Sequence, residues 1–140
     1  MFLNGNGEES LKIQNIIKHT SPNIKIFVAQ YVPTNIDKLE NSKNYLAFSG
    51  IGNPDSFIKT LKKNKFNIIK TLDFPDHYNY SDQDINKIRK TAKDLNAKII
   101  TTEKDYNRLN KLNSEDIEYL KIELKISNER ELINFLNKKL

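Results

Sequence analysis

The chain has 140 residues, a length that fits one domain and lets it bury roughly two-thirds of its unfolded surface in a core. Hydrophobic residues make up 37% and charged residues 29%, so it belongs with globular chains rather than disordered or fibrous ones. The absence of cysteine rules out disulfides, thiolate catalysis and cysteine metal sites, while the net charge of +5 is carried by scattered lysines rather than the basic stripe of a nucleic-acid binder.

No apolar run approaches the ~20 residues that a bilayer span requires. The start Met1-Phe2-Leu3-Asn4-Gly5 lacks the charged and apolar regions of a signal peptide, so a cytoplasmic protein, at most peripheral to a membrane, is expected. Phe2-Leu3-Asn4 reads as the end of a strand. After the Gly5-Asn6-Gly7 turn, a helix is expected with Leu11, Ile13, Ile16 and Ile17 on one face and His19 on the surface near its end. Ile24 to Ala29 reads as a strand, and Pro33 to Ser42 as a polar loop.

From Asn44 the rhythm becomes that of successive βα units. Tyr45 to Ser49 is a strand, Gly50-Ile51-Gly52 a turn, and Asn53 the cap of a helix with Pro54 at its first position and Phe57, Ile58 and Leu61 as its buried stripe. Lys62, Lys63 and Lys65, in the densest basic run, complement that helix's C-terminal dipole or meet an anionic partner, lipid or phosphate. Phe66 to Phe74 is the next strand and Pro75 to Tyr80 the loop after it. Ser81 with Asp84 forms a capping box that opens a helix with Ile85, Ile88, Ala92 and Leu95 on one face. Ala97 to Thr101 is a buried strand, and Thr102 caps a short helix beginning at Glu103. Ile117 to Ile126 reads as a last strand, followed by a helix capped by Ser127 with Leu132, Ile133, Leu136 and Leu140 facing inward. The expected architecture is a Rossmann-like three-layer α/β sandwich with a mainly parallel sheet.

Three polar clusters fall after successive strands, at the edge where parallel sheets build sites. Gly50-Ile51-Gly52-Asn53-Pro54 could hold a phosphate or carboxylate at a helix N-terminus, or be a tight turn needing positive φ. His77 could take a proton from a hydroxyl if a carboxylate held its ring, or bond to a backbone carbonyl; Asp76 beside it is a poor orienter in an extended chain. Glu103, Lys104 and Asp105 could contribute to a phosphate or metal environment, or simply form a first helical turn.

Taken in order, Ala47 to Pro54, Phe74-Pro75-Asp76-His77-Tyr78 and Thr101-Thr102-Glu103-Lys104-Asp105 resemble the C-terminal domain of tetraacyldisaccharide 4'-kinases, the lipid A 4'-kinases. The resemblance covers nearly the whole chain. It implies transfer of the γ-phosphoryl group of ATP, with Mg²⁺, to the 4'-hydroxyl of a lipid A disaccharide precursor at the inner face of the inner membrane. By similarity, His77 would act with an aspartate of the family's first domain to activate that hydroxyl, and Asp76 would shape its loop. Gly50, Gly52, Asn53, Glu103, Lys104 and Asp105 would line the interdomain cleft.

No GxxxxGK[ST] loop occurs in the sequence, and in the family that loop and the metal-binding acids lie in a preceding P-loop domain. A half-kinase inactive without that partner is therefore expected, with an exposed apolar patch where the partner would sit. A stand-alone anion-binding module would instead be polar all round. Nucleic-acid binding driven by charge alone would be steeply salt-dependent and indifferent to His77. The half-kinase reading requires His77 at the sheet's carboxyl rim, near Gly52 and Glu103 and outside the apolar interior.

Overall fold

The computed structural model describes residues 2–4, 8–109 and 114–138. In chain order the elements are β1 (Phe2–Asn4), α1 (Glu8–Thr20), β2 (Phe27–Pro33), β3 (Asn44–Ser49), α2 (Pro54–Lys63) and β4 (Asn67–Asp73). There follow α3 (Asp82–Asp94), β5 (Lys98–Thr102), α4 (Glu103–Arg108), β6 (Ile117–Leu120), β7 (Ile122–Ile126) and α5 (Glu129–Asn137). They divide into two compact units, Pro33–Ile122 and the pair of terminal segments Met1–Val32 and Glu123–Leu140.

The larger unit is built on a four-stranded sheet in the order β4-β3-β5-β6, every neighbouring pair parallel. Alternation along β3 explains its layers. Tyr45 and Ala47 point to one side, where they pack with Phe57 and Leu61 of α2, Phe66 and Ile100. Leu46 and Phe48 point to the other, against Ile85, Ile88 and Ala92 of α3, with Ile99 and Leu109. Because β3 is central and covered on both faces, it reads as a continuous apolar run, and Tyr45 to Phe48 are at most 1% exposed. Both helices start as their sequences dictate. Asn53 Oδ1 accepts from Ser56 N at 3.1 Å with Pro54 in the first turn, and Ser81 forms a full capping box with Asp84. This is the α/β sandwich with a mainly parallel sheet that the βα rhythm implies.

Winding from β3 outward to β4, then back across β3 to β5, reverses the strand order between β3 and β5. Crevices at such a reversal, outside the carboxyl ends of the strands, are where open α/β sheets hold ligands. At the opposite end of the sheet, Lys98 Nζ pairs with Glu118 at 2.8 Å and Glu40 at 3.0 Å, and Tyr45 Oη donates to Glu118 at 2.7 Å. Hydrogen bonds to the two carboxylates raise the Lys98 pKa well above the usual ammonium range, and the Lys98 contact lowers that of Glu40.

The smaller unit holds a sheet in the order β1-β2-β7, with β1 parallel to β2. Phe27 packs against Phe135 of α5 at 5.8 Å between ring centroids, and Ser127 N donates to Val28 O. Several expectations change here. The strand expected over 24–29 runs from Phe27 to Pro33, because Val28 to Val32 continue its β-branched and aromatic character. The expected strand over 117–126 breaks at Lys121 into β6 and β7, which lie in different sheets. The polar stretch expected as a loop after Pro33 contains a 3-10 turn at Ile36–Lys38.

On α1 the inward positions are Ser10, Gln14 and Ile17, spaced i, i+4, i+7, whereas Leu11, Ile13 and Ile16 are 58%, 45% and 63% exposed. On α5 the cap position is Asn128 rather than Ser127, with no side-chain cap bond, and of the apolar residues Leu132 is buried while Ile133 and Leu136 are each 48% exposed. Leu95, expected inward, is the C-cap of α3 and is exposed, because the helix ends before its side chain reaches the core. Leu140 lies outside the described residues. Among the described residues, no helix is long and apolar enough to cross a membrane.

Candidate functional site

The three polar loops meet at the carboxyl rim of the larger sheet, above the β3/β5 crevice. After β3 the backbone turns at Gly50, and the β4 segment stays registered with it through Phe74 N to Ser49 O at 2.8 Å. The loop after β4 then folds back, with His77 N donating to Gly50 O at 3.1 Å and Tyr78 N to Pro75 O at 3.1 Å. Four aromatic rings from Phe48, Phe74, Tyr78 and Tyr80 wedge under this loop with mostly edge-on contacts of 4.9 to 6.3 Å. A rigid apolar floor thus carries a polar lip.

The centre of the rim is Asp105, 0% exposed. Its Oδ2 accepts from Gly50 N at 3.1 Å and Thr102 Oγ1 at 2.6 Å, and its Oδ1 accepts from Tyr80 Oη at 3.2 Å and Arg108 Nη1 at 3.0 Å. Four donors on one carboxylate join the loop after β3, the segment before α3 and both ends of α4. Burial chiefly, and then the Asp105 charge, push the Tyr80 phenol pKa well above its ordinary value. Asp105 was expected to line a cleft; it points into the fold, because a carboxylate at the third position of a one-and-a-half-turn helix over a β3 turn finds amide and hydroxyl donors inside.

Gly50 and Gly52 differ. A Cβ on Gly50 would meet Tyr80 Oη at 3.0 Å, Pro75 O at 3.1 Å and Tyr78 Cβ at 3.2 Å, so the position needs the absence of a side chain; Gly52 has open space apart from Asp76 at 3.5 Å. Neither glycine occupies positive φ, contrary to the tight-turn expectation. At the rim it is His77 that takes the left-handed region, φ 61°.

That conformation brings Asp76 round. Its Oδ1 accepts from His77 N at 2.9 Å, its Oδ2 lies 3.8 Å from His77 Nε2, and Lys104 Nζ is 3.9 Å from its Oδ1. The expectation that neighbouring side chains diverge holds for extended backbone and fails in this turn. The His77 side chain is 72% exposed, clear of the apolar interior, and the ring sits beside Gly50 and over α4. Asn53 is exposed at the start of α2, and Glu103 and Lys104 open α4, the first half-buried and the second exposed.

Arg108, which no motif singles out, completes the rim. Its Nη1 donates to Gly50 O at 2.9 Å as well as to Asp105, and its Nη2 lies 3.1 Å from His77 Nδ1. The available signal was composition: only three of the 23 basic residues are arginine, and this one stands i+3 from an acid.

Among the described residues, no group of three or more histidine or acidic side chains is arranged to hold a metal ion. Asp105, the most central carboxylate, has its oxygens saturated by internal donors.

Fold and rim together define an α/β domain of Rossmann type with its polar loops at the topological switch point. Over residues 2–140 the chain matches the family described as Tetraacyldisaccharide-1-P 4'-kinase, and it belongs to that family. It is 50% identical over 138 residues to the tetraacyldisaccharide 4'-kinase of Pelagibacter ubique, covering 99% of this chain and 44% of that protein. With the Rickettsia typhi enzyme of the same name it shares 47% identity over 104 residues, covering 74% of this chain and 32% of the relative. The chain thus spans less than half the length of these curated relatives. In structure it is similar to an LpxK from Aquifex aeolicus, described as an "apo" form in complex with ATP, with a TM-score of 0.55 at 21% identity over 98% of this chain and 50% of that one.

Proposed function

We propose that this chain is the C-terminal part of a tetraacyldisaccharide 4'-kinase and supplies the His77 rim to a site where the γ-phosphoryl group of ATP passes to the 4'-hydroxyl of the lipid A disaccharide precursor. The observation that carries the reading is a family match spanning residues 2–140 whose three sequence motifs converge on one rim, with His77 exposed at its edge. The phosphate cradle, Mg²⁺ and the aspartate that partners His77 come from a P-loop domain outside these 140 residues. Without that domain the chain is inactive, because phosphoryl transfer depends on positioning and neutralising the γ-phosphate.

This chain's own residues do the following. Asp105 and Arg108 hold the loop after β3 to α4, the αL turn at His77 lifts the imidazole into the open, and Asp76 and Lys104 flank it. His77 then meets the acceptor hydroxyl and its aspartate partner. Gly52 and Asn53 border the cleft, with Glu103 across the crevice.

The uncovered apolar side chains favour a severed interface over a stand-alone module. Leu11, Ile16 and Leu124 in the smaller unit are each more than half exposed, apolar surface of the kind a partner domain would cover. Lys59, Lys62, Lys63 and Lys65, the densest basic run of the chain, suit peripheral contact with the anionic cytoplasmic face of the inner membrane.

The test mixes the purified 140-residue chain with ATP, Mg²⁺ and the lipid disaccharide, with and without a separately produced P-loop domain of the Pelagibacter relative. Turnover is expected only in the mixture and is lost with His77→Ala. Phosphorylation of the 4'-hydroxyl by the chain alone would overturn the reading, as would a mixture that stays inactive although the two parts bind.

A further inference from the structure

The contact between Arg108 and His77 decides which atom the histidine can offer. We propose that Arg108 is a positioning residue for His77, locking its ring and its tautomer so that the group presented at the rim is Nε2–H and not a free lone pair.

A guanidinium has five N–H donors and no acceptor. With Arg108 Nη2 at 3.1 Å, His77 Nδ1 must be the accepting nitrogen, and the neutral ring then carries its proton on Nε2. That side faces Asp76 Oδ2 at 3.8 Å and solvent. Arg108 is not free to swing away. Its side chain is 18% exposed, and Nη1 is held by Gly50 O at 2.9 Å and Asp105 Oδ1 at 3.0 Å.

The same carbonyl, Gly50 O, also accepts from His77 N at 3.1 Å. Main chain and ring of His77 are therefore tied to one point, through the backbone directly and through the arginine. Resting on the function proposed above, this means that His77 assists by donating Nε2–H to an oxygen at the rim, a carboxylate or a hydroxyl. A lone pair already bonded to a guanidinium is a poor proton acceptor, and none of this requires a covalent step.

The chain has two histidines, and exposed His19 in the last turn of α1 serves as an untethered reference. Imidazole ¹⁵N spectra of the ¹⁵N-histidine-labelled 140-residue chain at about pH 9, where imidazoles are ordinarily neutral, are expected to show His77 as one tautomer, Nε2 protonated and Nδ1 bare. His19 is expected to give the ordinary mixture. Arg108→Met should let His77 relax to the His19 pattern, and Arg108→Lys should restore it only in part. In the mixture with the P-loop domain, Arg108→Met should lower kcat roughly tenfold or more with KM for ATP unchanged.

A proton on Nδ1 of His77, or a tautomer ratio equal to that of His19 in the unsubstituted chain, overturns the proposal whether or not either variant folds. So does a folded Arg108→Met chain with unaltered spectrum and kcat. If the spectra come out as expected while a mixture whose two parts bind has no kinase activity, the functional reading falls and the positioning contact stands.

Discussion

Replacing Asp105 by Asn keeps its shape and removes its charge, which makes it the sharpest probe of what holds the rim together. The carboxylate is wholly buried and takes four donors, one of them the Arg108 guanidinium. Removing one partner of a buried ion pair costs about 3–5 kcal/mol, because the other charge stays desolvated. Arg108 keeps 18% exposure and Thr102 lies partly in water, so some of that loss is recovered by hydration, and about 3 kcal/mol is the working figure for Asp105→Asn. An Asn amide would in addition turn an NH₂ towards either the Gly50 N–H and Thr102 hydroxyl or the Tyr80 and Arg108 donors. With an m-value of about 2 kcal/mol/M, the urea midpoint of the 140-residue chain should fall by about 1.5 M. Asp105→Ala should cost as much or more, whereas Tyr80→Phe, which removes one donor and leaves the charge pair intact, should cost about 1 kcal/mol. A midpoint shift for Asp105→Asn equivalent to less than about 1 kcal/mol, or no larger than that of Tyr80→Phe, would refute the assignment of Asp105 as the organising group.

Gly50→Ala should destabilise by about 1–3 kcal/mol, since a methyl there meets the Pro75 carbonyl and two tyrosine side chains at 3.0 to 3.2 Å, while Gly52→Ala, facing only Asp76 at 3.5 Å, should melt close to the parent. Thermal melts of the two variants check the contrast, and equal melting points would count against it. At alkaline pH the raised pKa of Tyr80 means that the folded chain keeps a proton the unfolded chain has lost. Its stabilisation is complete below the ordinary phenol value of 10 and declines as pH climbs beyond it. Tyr45, raised by burial and then by Glu118, acts in the same direction. Tyrosinate absorbance should therefore rise in two phases, the later one coinciding with loss of circular dichroism, and Tyr80→Phe should flatten the decline. Free titration of all six tyrosines in a chain that remains folded would contradict this.

The larger unit was legible because each local signal agreed with its neighbours. Asn53-Pro54 and Ser81 with Asp84 fixed two helix starts, and the uninterrupted apolar run from Tyr45 to Phe48 marked a central strand. The smaller unit was less so. Leu11, Ile13 and Ile16 suggest a buried face, yet that side of α1 faces outward and Ser10 takes an inward position, a choice that depends on what packs against the helix. The break at Lys121 was equally hidden, since β6 and β7 share one apolar rhythm while pairing in different sheets. At the rim, motif position placed His77 at the carboxyl edge. What periodicity could not give was its left-handed backbone, and with it the approach of Asp76, or the inward turn of Asp105.

Arg108 explains why the rim keeps its form with one charged pair at its base. A lysine ammonium at this position could satisfy Asp105, but it is a point charge on a flexible stem, and the three acceptors here are Gly50 O, Asp105 Oδ1 and His77 Nδ1, spread around a planar fork. The fork bridges the turn after β3 to α4 after β5, where strand order reverses, and couples both to the histidine. Chemistry at the rim is then left to the atoms that remain exposed: His77 Nε2, the outer oxygen of Asp76 and the Lys104 ammonium. Because Arg108 bonds both the ring of His77 and the carbonyl that accepts its backbone N–H, a disturbance at Asp105 should reach the imidazole without any substitution there. The Asp105→Asn chain, if still folded, is therefore expected to show the same loosening of the His77 tautomer as Arg108→Met. An unchanged imidazole spectrum in that variant would mean that the arginine holds its place through Gly50 O alone.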